Sequence, residues 1–349
     1  MKKQGDYENE NCDNRKRFFN LLFETELNFV SDLSVSLPMY FGLKGVKSVK
    51  QRGSYLLDGA KIHKSDSSPR KIYASFDLLN KIKQAGFQRA DYIMPAASGV
   101  PFVNLGRDMF VMTQFVTGRE PDMNCFADVE LVLQSLADFH KAARNLQGLA
   151  PEIPCAPSLV DVFAKQITFI GSTVKQINRR PRLSDFDVLI LKHANSYDDR
   201  AVRAAEILAN SDYIALRENA VKRNYICHNG LKEEAFTLVD DSAYISRFEE
   251  ASIDLQLCDL ASVLRRYARK SSRDVPLERL ISVYRDITPL PASAEKILHA
   301  MLLFPWPFLK NMLQFYSKKR NFIPAAITTR MNGILEAQEE YDEYINSIK

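Results

Sequence analysis

Between Phe18 and Val30 the apolar residues recur at three-to-four spacing, which predicts a helix. From about 46 to 64 the period shortens to alternation. In SYLLDGAKIHK, Asp58-Gly59 separates two alternating runs, so a hairpin is expected there. Lys71–Lys83 returns to a helical period through Ile72, Phe76, Leu79 and Ile82, and Gly86 predicts its end. YIMPAASGVPFVN and DMFVMTQFV read as two extended stretches broken by Ser98-Gly99 and Gly106. With the hairpin they predict a small antiparallel sheet of about five strands.

After Gly118 long helical periods dominate, at 127–146, 158–178, 184–195 and 199–220, and again from about 252 onward. Short strand-like pieces, Thr237–Val239 and Tyr244–Ser246, interrupt them. This order predicts an α+β chain in three parts: a polar, flexible tail over 1–16, an N-lobe of one helix and an antiparallel sheet over 17–117, and a larger, mostly helical C-lobe over 118–349. The closing helix, Thr328–Ile348, carries EAQEEYDEY and is expected to be solvated.

Composition changes this picture little. The 349 residues are 46% hydrophobic and 26% charged, which suits a globular chain with a substantial core. The net charge of +4 is mild. Two basic groups, Arg265, Arg266, Arg269, Lys270 and Arg273, and Arg179, Arg180 and Arg182, lack interleaved stacking aromatics apart from Tyr267. They are expected to be solvated faces, with no nucleic-acid partner. The cysteines Cys12, Cys125, Cys155, Cys227 and Cys258 have no metal-ligand spacing, so neither a metal site nor a disulfide framework is expected. No run approaches about 18 apolar residues, and MKKQGDYENENCDNRKR lacks the apolar stretch of a signal peptide. Synthesis in the cytoplasm and no membrane span are the expectations.

The candidate chemistry lies in YICHNGLKEEAFTLVDDSAYISRFEEASIDLQLCDLASVLRR, Tyr225–Arg266. His228-Asn229-Gly230, then Phe248-Glu249, then Asp259-Leu260-Ala261 resembles the aminoglycoside phosphotransferase and choline kinase superfamily. There an H-x-D-x-x-x-x-N loop precedes D-F-(D/E) and D-L-A. GFQRADYIMPAASGVPFV, FVMTQFVTGREPD, LADFHKAARNL and FPWPFLKNMLQFYSKKRNFIP are similar, in consistent order, to segments of the spore coat CotS-like group within that superfamily. The resemblance covers about 45–345 and implies a protein kinase-like fold, a location in the spore coat and other coat proteins as partners.

It also implies roles that can be sought residue by residue. Phosphoryl transfer from ATP needs a lysine on the phosphates, metal ligands and a proton acceptor. The resemblance makes Lys64 the possible phosphate contact, with Lys61 the alternative on the opposite strand face, and leaves Asp77 as the one helix carboxylate available to pair with it. VKSVKQRGSY offers a phosphate loop only Gly53. His228 is kept. The base position is Gly230, which can take no proton, and the second metal-ligand position is Ala235, which has no donor atom. Arg247 replaces the magnesium-binding carboxylate, and a guanidinium offers only donors. Glu249 keeps the acidic third position. Glu233 or Glu234 could act as substitute only with a rearranged backbone. Phe248, Asp254 and Asp259 match the scaffold positions, and His228 reads as a structural core histidine.

The expectation is therefore a pseudokinase that binds or assembles within the coat, with no metal and no cofactor. Two alternatives stay open: a working small-molecule or protein phosphotransferase with relocated residues, and a nucleotide switch that binds ATP without magnesium, Arg247 contacting phosphate.

Overall fold

The computed structural model describes residues 33–51, 53–270, 273–316 and 324–348. The expected tail over 1–16, the expected helix Phe18–Val30 and positions 317–323 of the last aromatic segment lie outside the described residues. The chain forms two compact units. One comprises Ile93–Phe115 and the described chain up to Asp66; the other comprises Ser67–Tyr92 and the chain from Val116 onward. Residues 67–92, which the sequence assigns to the smaller lobe, thus group with the larger one.

In the smaller unit, helix α1 (Leu33–Tyr40) precedes β1 (Val49–Gln51), β2 (Ser54–Leu57), β3 (Ala60–Ser65), β4 (Ile93–Met94), β5 (Val103–Leu105) and β6 (Asp108–Gln114). The sheet order is β1-β2-β3-β6-β4, with β5 also on β6, and every pairing is antiparallel. There are six strands where about five are expected. The break expected at Ser98-Gly99 is a tight turn, in which Ala96 N–H donates to the Val100 carbonyl at 2.8 Å, and it leaves β4 and β5 as separate strands. Asp58-Gly59 joins β2 to β3, and Leu57 faces Ala60 across the turn. Gly59 sits at φ +69°, which a residue without Cβ adopts without strain. Period-two alternation sends Ala60 and Ile62 of β3 and Phe110 and Met112 of β6 into one core with Leu37, Phe41, Tyr55 and Ala96.

The larger unit opens with α2 (Pro69–Gln84). Ser68 caps it by accepting from Lys71 N–H at 3.3 Å, Pro69 starts it, and Ile72, Leu78, Leu79 and Ile82 form its buried stripe. Then follow α3 (Phe126–Ala142), α4 (Leu159–Asn178), α5 (Asp185–Ala209), α6 (Tyr213–Lys222), β7 (Ile226–Cys227), β8 (Phe236–Val239), β9 (Ser242–Ile245), β10 (Ser252–Ile253), α7 (Leu257–Lys270), α8 (Leu277–Arg285), α9 (Ala294–Leu303), α10 (Trp306–Tyr316), α11 (Pro324–Glu336) and α12 (Gln338–Ile345). The strands form two antiparallel ribbons, β7 with β10 and β8 with β9. Gly118 lies flat against β8: a Cβ there would come within 2.2 Å of the Leu238 carbonyl oxygen. Arg119 and Leu238 exchange backbone hydrogen bonds of 3.1 and 2.8 Å at that point.

Three sequence expectations are corrected here. The break expected near 196–198 is absent, and α5 runs unbroken for 25 residues. Its polar-looking middle holds Tyr197, which is buried and stacked on Phe308 at 3.9 Å; the chain turns instead at Asn210–Asp212. The expected solvated closing helix is two helices whose Tyr341 and Ile345 are fully buried. The first basic group is not a solvated face either. Arg265 donates to the Met301 carbonyl, Arg266 to the Leu231 carbonyl, Arg269 covers the Tyr341 ring at 4.2 Å and Arg273 pairs with Glu340. Among the described residues no helix is long and apolar enough to cross a membrane.

Candidate functional site

The β7–β10 ribbon delivers His228 and Asn229 onto the first turn of α7, where Asp259 is buried at 2% exposure. One oxygen of Asp259 accepts from His228 N–H at 2.6 Å and from His140 Nε2 at 3.0 Å; the other accepts from Asn229 N–H at 2.9 Å. His140 Nδ1 lies 2.7 Å from the Tyr284 hydroxyl. A neutral imidazole protonated on Nε2 satisfies both contacts, donating to Asp259 and accepting from Tyr284. Gln256 ties this hub to the strand by donating to the His140 carbonyl at 2.9 Å and the Ile226 carbonyl at 3.2 Å. Burial alone would raise the Asp259 pKa, but its hydrogen bonds from His140 and from the Asn229 N–H hold it below the ordinary value. Burial pushes both histidines below theirs.

His228 joins two loops. Its Nε2 donates to the Ser246 carbonyl at 2.8 Å, and its Nδ1 accepts from Gly230 N–H at 3.2 Å. The ring is buried, edge-on to Phe248 at 4.8 Å, and Phe248 in turn meets Phe139 at 5.4 Å. Both ring nitrogens are occupied in the neutral form, so this histidine holds the loops and offers no free lone pair for proton abstraction.

The chemistry-bearing positions differ. At Gly230 a Cβ would meet Glu250 Cβ at 3.5 Å and His228 Cε1 at 3.6 Å, which are ordinary contacts, and the backbone is not left-handed. Glycine is therefore not required there by space or by backbone. Ala235 ends a short 3₁₀ turn and is fully buried; its carbonyl accepts from Ser246 N–H at 2.8 Å. Arg247 is left-handed at φ 69°, its N–H reaches Asp91 at 3.3 Å, and its side chain is exposed. Glu249 is exposed as well, and among the described residues neither it nor Arg247 is ion-paired. Glu250 pairs with Lys71 of α2 at 3.5 Å. Glu233 lies between Arg266 at 3.0 Å and Lys270 at 2.6 Å. Burial would raise its pKa, but Lys270 and Arg266 bring it below the ordinary value. Asp254 is buried against Arg217 at 3.1 Å.

In the smaller unit Lys64 sits at the end of β3, on the face of Ala60 and Ile62, and pairs with Asp108 at 2.7 Å. Lys61 is on the other face, opposite Thr113. Asp77 is engaged within its own helix by Lys81 at 2.5 Å.

The structure therefore brings His228, Gly230, Phe248 and Asp259 together, places Ala235 and Arg247 on either side of Ser246, and gives Lys64 a carboxylate partner of its own strand pair. His140, Tyr284 and Gln256 complete the hub and are missed by sequence reasoning, although His140 stands inside the quoted LADFHKAARNL. The donor set does not fit a magnesium ion. Positions 230 and 235 carry no ligand atom, 247 carries a cation, and among the described residues no three His, Cys, Asp or Glu side chains group to hold a metal.

The fold recurs in solved structures. An aminoglycoside phosphotransferase from Alicyclobacillus acidocaldarius superposes with a TM-score of 0.75 at 16% identity, covering 91% of this chain and 92% of that one. A spectinomycin phosphotransferase in complex with ADP and spectinomycin gives 0.61 at 9% identity, over 90% and 97% of the two chains. A choline/ethanolamine kinase family protein from Mesorhizobium loti gives 0.52 at 12% identity, over 90% and 96%. These likenesses establish the α+β, protein kinase-like fold that the sequence motifs imply. Residues 41–348 match the family described as "Spore coat putative kinase YutH", and the chain belongs to that spore coat, kinase-like family.

Proposed function

We propose that this protein is a pseudokinase of the spore coat, a binding or assembly component that keeps the kinase-like framework without its phosphoryl-transfer chemistry. The observation that carries the reading is the pairing of a complete Asp259–His228–His140 hub with three positions, Gly230, Ala235 and Arg247, that supply neither base nor metal ligand. Family membership supports a coat location, with other coat proteins as partners. A relocated active site draws little support from Glu233, whose carboxylate is taken up by two cations. A second reading, ATP binding without magnesium, is favoured by the exposed Arg247 guanidinium, a permanent cation at the position where a metal would otherwise meet phosphate.

Two measurements on purified protein test this. Magnesium-ATP turnover with coat extracts as acceptor is expected to be nil; turnover abolished by Lys61→Met or Lys64→Met would overturn the pseudokinase reading. A thermal shift with ATP that persists in chelator and disappears in Arg247→Ala would support the second reading.

A further inference from the structure

We propose that the cavity walled by α7, α10 and α11 binds a small molecule carrying two or more phosphate groups. This does not rest on the pseudokinase reading. The cavity is about 330 Å³, and every charged side chain lining it is a cation: Arg265, Arg266 and Arg269 from α7, Lys310 from α10 and Arg330 from α11. Among these, and among the described residues, only Arg266 has a carboxylate partner, Glu233. Arg265 and Arg330 use carbonyl or amide oxygens, from Met301, Ala326 and Gln314, and Arg269 uses the Tyr341 ring.

These cations are costly as they stand. The Nε atoms of Arg265 and Arg269 are buried with no acceptor, and a buried unsatisfied donor costs about 1–3 kcal/mol, more when charged. Burial pulls the Arg265 guanidinium down to about 10, so it stays cationic at neutral pH while being poorly solvated. Glu233 offsets Arg266, but the other four like charges around one small space repel each other unless an anion enters. That anion would act on the two hidden Nε atoms through its field, and on the outer guanidinium and ammonium groups by direct contact.

Size and shape select among anions. A cavity of this volume is at the lower end of small-molecule pockets and too small for a folded partner's face. Guanidinium forks match pairs of phosphate oxygens, and cations from three helices balance more than one phosphate. The cavity is also distinct from the loops described above. Ser262, Arg265 and Trp306 form a wall shared with a neighbouring cavity, and it is that neighbour which touches Asn229 and Asp259.

Trp306 is the only tryptophan of the chain and stands in the wall shared by the two cavities, so its emission reports on this region, and Lys310 and Arg330, which line only the first of them, tell the two apart. The full chain is titrated with pyrophosphate in chelator at constant ionic strength, with sodium chloride as control. A saturable change in emission is expected. Lys310→Ala and Arg330→Ala, both exposed side chains, should each weaken binding at least about tenfold with an unchanged melting temperature. Emission that follows ionic strength alone, or equal affinity in both variants, would overturn the proposal. So would a response to a glutamate-rich peptide with none to pyrophosphate, which would assign the face to acidic proteins.

Discussion

Asp259, on the first turn of α7, and Arg247, in the loop after β9, stand in one unit and have opposite fates. Asp259 is buried and accepts three hydrogen bonds, two from the loop after β7 and one from His140 of α3; Arg247 is exposed, and its backbone N–H reaches Asp91. The difference lies in what each position is coupled to. A buried carboxylate with three donors is part of the folding free energy, so its loss leaves two backbone N–H groups and an imidazole without partners. Gly230, Arg247 and Glu249 border solvent, and side chains there can change with little effect on folding. A kinase-like framework can therefore outlast its chemistry.

The contrast can be broken or sharpened in steps. Asp259→Ala should have the largest effect, about 3–5 kcal/mol by urea denaturation, or failure to fold; a loss under about 1 kcal/mol would show that the hub is not what holds the loops. Next comes pH. The buried His140 and His228 have depressed pKa values, so they resist protonation when folded, while the unfolded chain takes up protons near its ordinary value of 6.5. Stability is then complete above about 6.5 and falls as pH drops below it, by at most about 1.4 kcal/mol per pH unit for each histidine. Asp259, also depressed, keeps its contribution above its ordinary 3.8 and loses it only as pH falls further. An unchanged urea midpoint between pH 7.5 and 5 would count against buried neutral histidines.

Smaller effects belong to the periphery. Glu233→Ala removes contacts to Arg266 and Lys270 at a partly solvated site and should cost about 0.5–1 kcal/mol, read by the same denaturation. Arg247→Gly relieves a left-handed residue and should change stability by no more than about 1 kcal/mol, toward greater stability. If Arg247→Gly were as damaging as Asp259→Ala, the division between framework and periphery would fail.

Local pattern made much of this legible before any coordinates. Asp58-Gly59 between alternating runs announces the β2–β3 hairpin, and the stripe through Ile72, Leu79 and Ile82 announces α2. The positions of Gly230, Ala235 and Arg247 within spaced motifs were legible too. What stayed hidden depends on partners far away in the chain. Tyr197 looks like part of a polar break until Phe308 stacks on it, and Tyr341 looks solvent-facing amid acids until α9 and Arg269 cover it. Arg265 and Arg266 resemble any surface arginines until Met301 and Leu231 supply carbonyls. His140 was visible in its motif, but its hydrogen-bond partners Tyr284 and Asp259 lie more than a hundred positions away.

On the pseudokinase reading proposed above, the space at Gly230 also bears on whether the missing chemistry could be regained. A carboxylate can return there by one side-chain change, because a Cβ meets only ordinary contacts. Position 235 is different: a polar amide would need room and partners inside a filled interior. Position 247 needs its charge reversed on a left-handed backbone. The steps back to catalysis are thus unequal in difficulty and fixed by packing before chemistry can reward them. On the pseudokinase reading the way back would act as a ratchet, where the easiest change alone restores nothing.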